Sequence, residues 1–124
     1  MEVTPRGVPD RPLPPIAPDA DDRAPIELCC LLWARPDREA ALAAYEDRVL
    51  ALLADHGGEL LSRALGPGTD DTPHETQFIR LPDSAALDAF LGDPRRRSLA
   101  AERDRVTRRT VLYPIRFAVP PQES

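Results

Sequence analysis

The chain contains no lysine and no asparagine, and its sixteen basic residues are all arginine. Together with many alanines and fifteen prolines, that bias reads as GC-rich coding, a matter of ancestry rather than mechanism. Cysteine is scarce: Cys29 and Cys30 stand side by side. Neighbouring side chains in a strand point to opposite faces, so no disulfide is expected between them, and no Cys/His spacing suggests zinc or another metal. Long hydrophobic runs are missing too. None is long enough to span a bilayer and no secretory apolar core is present, so a soluble cytoplasmic protein without membrane contact is expected. The net charge of −5 excludes an overall basic footprint for nucleic acid. A chain of 124 residues has room for one domain, with little interior to spare for a ligand. A subunit of this size commonly builds a pocket by pairing with a copy of itself.

What is present falls into a clear order. Residues 1–25 hold seven prolines (5, 9, 12, 14, 15, 18 and 25) and the acidic cluster Asp19, Asp21 and Asp22, and are expected to be extended or disordered. Residues 26–33, Ile-Glu-Leu-Cys-Cys-Leu-Leu-Trp, are almost continuously apolar and bracketed by Pro25 and Pro36, which predicts a strand in the interior of a sheet. A long amphipathic helix follows, with Pro36 in its first turn. Its apolar stripe is Leu42, Tyr45, Val49, Leu52, Leu53 and His56, with Arg38, Glu39, Glu46 and Arg48 largely off it. Gly57-Gly58 closes that helix, one glycine left-handed. Strands are expected over residues 59–65 and 74–81, helices over 85–91 and about 94–107, and a last strand over 110–117 before a short C-terminal tail, 118–124.

The order strand, helix, strand, strand, broken helix, strand is the ferredoxin-like βαββαβ arrangement: α+β, with a four-stranded antiparallel sheet. Particular residues also resemble a family. They are the helix end His56-Gly57-Gly58, the strand start Glu59-Leu60-Leu61, the step Ile79-Arg80-Leu81-Pro82-Asp83-Ser84, then Ala86, Phe90-Leu91 and Asp93-Pro94-Arg95 through Arg103. Residues 26–117 are similar to the dimeric α+β barrel superfamily, nearest its small uncharacterised bacterial members. Leu81 stands where that pattern has Phe, and Asp93-Pro94-Arg95-Arg96 replaces a Ser-Pro-Glu-Tyr-like run. The resemblance implies a homodimer whose sheets face one another, with a pocket under the helices or between the sheets. It also points to relatives such as antibiotic-biosynthesis monooxygenases and polyketide cyclases. Some monooxygenase and haem-degrading members rely on a pocket asparagine, and this chain has none.

Strand parity then proposes a site on the sheet face away from the helices, provided no bulge inverts a strand. The set is Glu27, Cys29, Leu31 and Trp33; Leu61, Arg63 and Leu65; His74, Thr76, Phe78 and Arg80; and Val111, Tyr113, Ile115 and Phe117. Gln77, Ile79 and Leu81 fall on the helix side. Within that wall His74 is the candidate acid/base, and Arg63 and Arg80 the candidate holders of an oxyanion or carboxylate. Glu27, Trp33, Thr76, Phe78 and Tyr113 are the substrate contacts. Blander readings stand beside these. His74 borders a turn, the two arginines can simply pair with Glu27 or Glu59, Trp33 can be interface core, and Cys29 reads as an inert buried thiol. The Arg95-Arg96-Arg97 run reads as a solvated helix start with acidic partners such as Asp93. The function this predicts is cofactor-independent proton-transfer chemistry of the cyclase or isomerase type, on a small hydrophobic, polyketide-like or aromatic carbonyl substrate. A cofactor-free monooxygenase and a non-catalytic metabolite- or partner-binding dimer are the alternatives.

Overall fold

A computed structural model describes residues 23–121. The expectations for the two tails, except at residues 23–25 and 118–121, lie outside the described residues. The elements are β1 (Ile26–Ala34), α1 (Glu39–Leu50), a 3₁₀ turn (Leu53–His56), β2 (Glu59–Leu65), β3 (Glu75–Leu81), α2 (Ser84–Leu91), α3 (Pro94–Arg97), α4 (Ala100–Val106) and β4 (Thr107–Ile115). All strand neighbours are antiparallel, in the order β2-β3-β1-β4, so the apolar β1 lies in the interior as its composition demands.

Alternation along β1 and β3 divides the core. Leu28, Cys30 and Leu32 of β1 and Ile79 and Leu81 of β3 join Leu42, Tyr45 and Val49 of α1, together with Leu53, Phe90 and Val106, in one buried cluster. The other face of β1 is also partly covered, with Cys29 and Trp33 buried. Burying each large apolar side chain contributes roughly 1.5–3 kcal/mol before entropy is charged.

The helices depart from expectation in three places. Asp37 adopts a positive φ of 64°, a conformation Asp tolerates, so α1 begins at Glu39 and not in the turn holding Pro36. α1 stops at Leu50 and the chain tightens into the 3₁₀ turn, which carries Leu53 into the core; Gly57, at φ 74°, then ends it in the left-handed conformation anticipated there. The helix expected over 94–107 is two pieces. Asp93 caps α3 by accepting from the Arg95 amide at 2.8 Å, and the Ser98 hydroxyl closes it by donating to the Arg95 carbonyl at 2.7 Å. α4 then runs directly into β4 at Thr107.

Leu42, 1% exposed at the centre of the cluster, should cost about 2–5 kcal/mol when truncated to Ala, whereas Leu65→Ala at a 75% exposed position should stay within about 0.5 kcal/mol. Denaturant unfolding of both variants checks the contrast.

Candidate active site

The face away from the helices gathers much of what parity assigned to it. Glu27 stands opposite Arg80, Cys29 opposite Phe78 and Tyr113, and Leu31 opposite Thr76 and Val111. Its charges satisfy one another. The Arg80 guanidinium donates twice to one Glu27 oxygen, at 3.0 and 2.9 Å, and once to Glu59 at 3.0 Å. Phe78 packs against Phe117 with ring centroids 5.6 Å apart. Tyr113 is hydrogen-bonded with the Cys29 thiol, and that contact, aided by burial, pushes its phenol up to about 12. The face is therefore largely apolar, with an arginine already committed to carboxylates.

Arg63, His74 and Trp33 are not part of a convergent site there. A register shift between Leu60 and Ser62 places Ser62 opposite Phe78 and Arg63 opposite Gln77, which reverses the facing expected for β2. Arg63 accordingly turns toward α1. It donates to Glu75 at 2.5 Å, to Asp47 at 2.5 Å and to the Ala43 carbonyl at 3.0 Å. Its pairing is with Glu75 and Asp47, and not with the Glu27 or Glu59 considered from sequence. His74 precedes β3 rather than opening it. Its Nδ1 accepts the Ala34 backbone N–H at 3.0 Å, so the lone pair a general base needs is occupied, and its Nε2 faces Glu39 at 3.6 Å. The ring fills the space beside Gly68, where an added Cβ would fall 1.9 Å from Nε2. Trp33 is buried, donates from Nε1 to the Thr69 carbonyl at 2.8 Å, and is covered by the Arg109 guanidinium 4.4 Å from its ring centroid. It anchors a loop and leaves no bare stacking platform.

One half-open space lies under the helices. A cavity of about 260 Å³ is walled by Cys30 and Leu32 of β1, Gln77 and Ile79 of β3, Tyr45, Glu46 and Val49 of α1, and residues of α2, α3, α4 and β4. Its polar centre is a buried chain. The Gln77 side-chain amide donates to Glu46 at 2.8 Å and to Glu75 at 2.8 Å, and Glu75 is held in turn by Arg63. Glu46 is 6% exposed and Glu75 1%. Burial raises the Glu46 carboxyl above its ordinary range, and the Glu75 charge adds to the rise; the Gln77 hydrogen bond and the charges of Arg63 and Arg96 oppose it. Burial also raises the Tyr45 phenol, and it pushes the Cys30 thiol up to about 12, which leaves that thiol protonated at neutral pH.

Sequence reasoning missed Glu46, and yet the signal was present. Leu42, Tyr45, Glu46 and Val49 sit at i, i+3, i+4 and i+7, and the structure buries all four. A carboxyl inside that stripe needs a partner, and Gln77 on the helix-facing parity of β3 is the partner. Of the arginine run, Arg95 behaves as expected, pairing with Asp93 and Asp55, whereas Arg96 turns into the cavity wall. Among the described residues no cluster of His, Cys, Asp and Glu could hold a metal ion, and no helix is long and apolar enough to cross a membrane.

No family model and no curated protein matches the chain. Solved structures do. A Rhodopseudomonas palustris protein of unknown function has a TM-score of 0.64 at 21% identity, covering 82% of this chain and 88% of that one. A Bacteroides thetaiotaomicron protein described as a candidate antibiotic biosynthesis monooxygenase has 0.62 at 14%, covering 84% and 99%. A dimeric Bacteroides fragilis protein of ferredoxin-like fold and unknown function has 0.58 at 10%, covering 75% and 96%. At these identities the likeness establishes the fold: α+β, ferredoxin-like, with a four-stranded antiparallel sheet.

Removing Arg63 strands the buried Glu75 carboxylate, so Arg63→Ala should destabilise the protein by about 3–5 kcal/mol in denaturant unfolding. Arg63→Met combined with Glu75→Leu, which removes both charges, should recover most of that loss.

Proposed function

We propose that the protein acts on a small, largely apolar carbonyl or aromatic compound held in the cavity between helices and sheet, and that it moves a proton there with Glu46. The observation that carries this reading is a carboxyl with 6% exposure on the wall of a cavity of mixed apolar and polar lining, fixed by the Gln77 amide. A desolvated carboxylate is a stronger base than one in water, and its raised pKa brings it nearer neutrality, where proton transfer is most effective. Isomerisation and cyclisation of carbonyl compounds both begin with such a step. The monooxygenase neighbour supplies a second reading with the same first step, in which the carboxylate deprotonates a phenol that then reacts with oxygen. Oxygen uptake during turnover separates the two.

The apolar sheet face fits the dimer that the superfamily resemblance implies, and one structural neighbour is described as dimeric. In this reading Phe78, Leu31 and Tyr113 meet a second copy, and the Glu27–Arg80–Glu59 cluster closes the edge of that contact. Sedimentation should give a dimer for the native chain and a monomer for Phe78→Glu; a native monomer at micromolar concentration would refute the pairing.

The base is tested with 5-nitrobenzisoxazole, a small flat probe whose ring C–H proton passes to a carboxylate as the N–O bond breaks and a nitrile-bearing phenolate forms. Native protein should accelerate this opening, and Glu46→Gln should lose about 10²-fold or more of the rate. The rate should climb with pH through the elevated Glu46 pKa and then level, because only the ionised carboxyl accepts a proton. The folded state also binds that proton more tightly than the unfolded state does. The resulting stabilisation is present at low pH and lost as pH rises through the elevated value, so Glu46→Gln should be no less stable than the native chain at neutral pH. An undiminished rate in Glu46→Gln sinks the assignment.

A further inference from the structure

We infer that Arg96 and Thr107 form an anion-recognition subsite in this cavity, and that its ligand is an apolar body carrying one oxyanion. The inference rests on the cavity being a small-molecule site, and is independent of Glu46 acting as the base. Two buried side-chain atoms among the described residues lack any hydrogen-bond partner, Arg96 Nε and Thr107 Oγ1, and both residues line this one cavity. An unsatisfied buried polar atom costs about 1–3 kcal/mol, so two on the same wall call for an occupant that satisfies them.

Thr107, 9% exposed, sits where α4 passes into β4. The Arg96 guanidinium lies 5.5 Å from the Phe90 ring centroid and donates from Nη1 to the Leu91 carbonyl at 3.2 Å, which fixes the plane while the Nε edge stays unused. An oxyanion admitted beside that edge would accept from Nε–H, and one that reaches the threonine would accept from its hydroxyl.

Charge agrees with hydrogen bonding. The whole chain carries −5, yet Arg96 lines this cavity together with Glu46; of the other arginines at its rim, Arg103 lies beside Asp104, Arg108 beside Asp70, and Arg109 over Trp33. The field of Arg96 reaches inward, since it favours the ionised forms of Cys30, Tyr45 and Glu46. Size and lining define the rest of the ligand. A cavity of roughly 150 Å³ lined by apolar side chains accepts benzene. At about 260 Å³, with Val49, Ile79, Leu87 and Leu91 on its walls, this one admits a body of about two fused rings.

The test compares 2-naphthoate with its neutral isostere 2-naphthamide by isothermal titration calorimetry on the full chain. The native protein should bind the carboxylate at least about tenfold more tightly than the amide. Arg96→Gln should abolish that preference while retaining the amide's affinity, and Thr107→Val should weaken the carboxylate severalfold. Thermal unfolding of each variant confirms that it is folded. Equal affinity for the two probes in the native protein, or a preference that survives Arg96→Gln, overturns the subsite and leaves the cavity standing. Binding of neither probe overturns the small-molecule reading of the cavity itself.

Discussion

One side-chain amide lies at the centre of the junction between helix and sheet. Gln77 places its nitrogen 2.8 Å from each of two buried carboxyls, Glu46 on α1 and Glu75 on its own strand. Burial penalises both charges, and two of them around one amide would repel. Arg63 relieves that by holding Glu75 from β2 while its other donors reach Asp47 and the Ala43 carbonyl of α1. Helix and sheet are thereby joined by directional bonds as well as by apolar packing. Such a chain fixes the rotation of α1 over the sheet more tightly than leucines alone do, since each link tolerates only small displacements. It is also what keeps the Glu46 carboxyl on the cavity wall.

The fold was legible in the sequence because its main determinants are local. An apolar run between prolines can only be an interior strand, a Gly-Gly pair ends a helix, and four strands and two helical segments in this order leave one arrangement. The boundaries that moved are those set by tertiary context. Leu53 could be read as part of a continuous apolar stripe, but the chain buries it by tightening into a 3₁₀ turn instead. Thr107 reads as the end of a polar helix, but pairing with β1 begins there because Ala34 lies opposite it.

The site was far less legible, for two reasons that concern single residues. Parity along a strand is a precise rule until one extra residue enters, and the irregularity between Leu60 and Ser62 carried Arg63 from the expected face to the other. Nothing in the Leu60-Leu61-Ser62 triplet announces it. The second reason is an assumption about charge. Glu46 reads in sequence as lying largely off the apolar stripe, although its position places it among the buried residues of α1. Arg96 was passed over likewise, as one of three arginines at a helix start. A charge at a core position is a more informative observation than a histidine at the end of a strand, because the former must be compensated and the latter need not be.

The two faces of the sheet divide the work. On the outer face the polar groups neutralise one another within the subunit, Arg80 with Glu27 and Glu59, which is compatible with the proposed pairing of two copies. On the inner face the compensation is incomplete by design of the packing. The chain running from Arg63 through Glu75 and Gln77 ends at Glu46 with no cation paired to it among the described residues, and Arg96 and Thr107, which line the same cavity, each carry a buried atom with no partner. Had the protein been selected for stability alone, apolar residues at these positions would serve better, since replacing buried charges by well-packed hydrophobic groups is often neutral or stabilising. Their presence under the helices, next to space for a ligand, is the physical basis for proposing a function on the inner face. Arg63 does not line that cavity. By balancing Glu75 it limits the repulsion felt at Glu46, and it acts on the cavity through electrostatics without touching what the cavity holds.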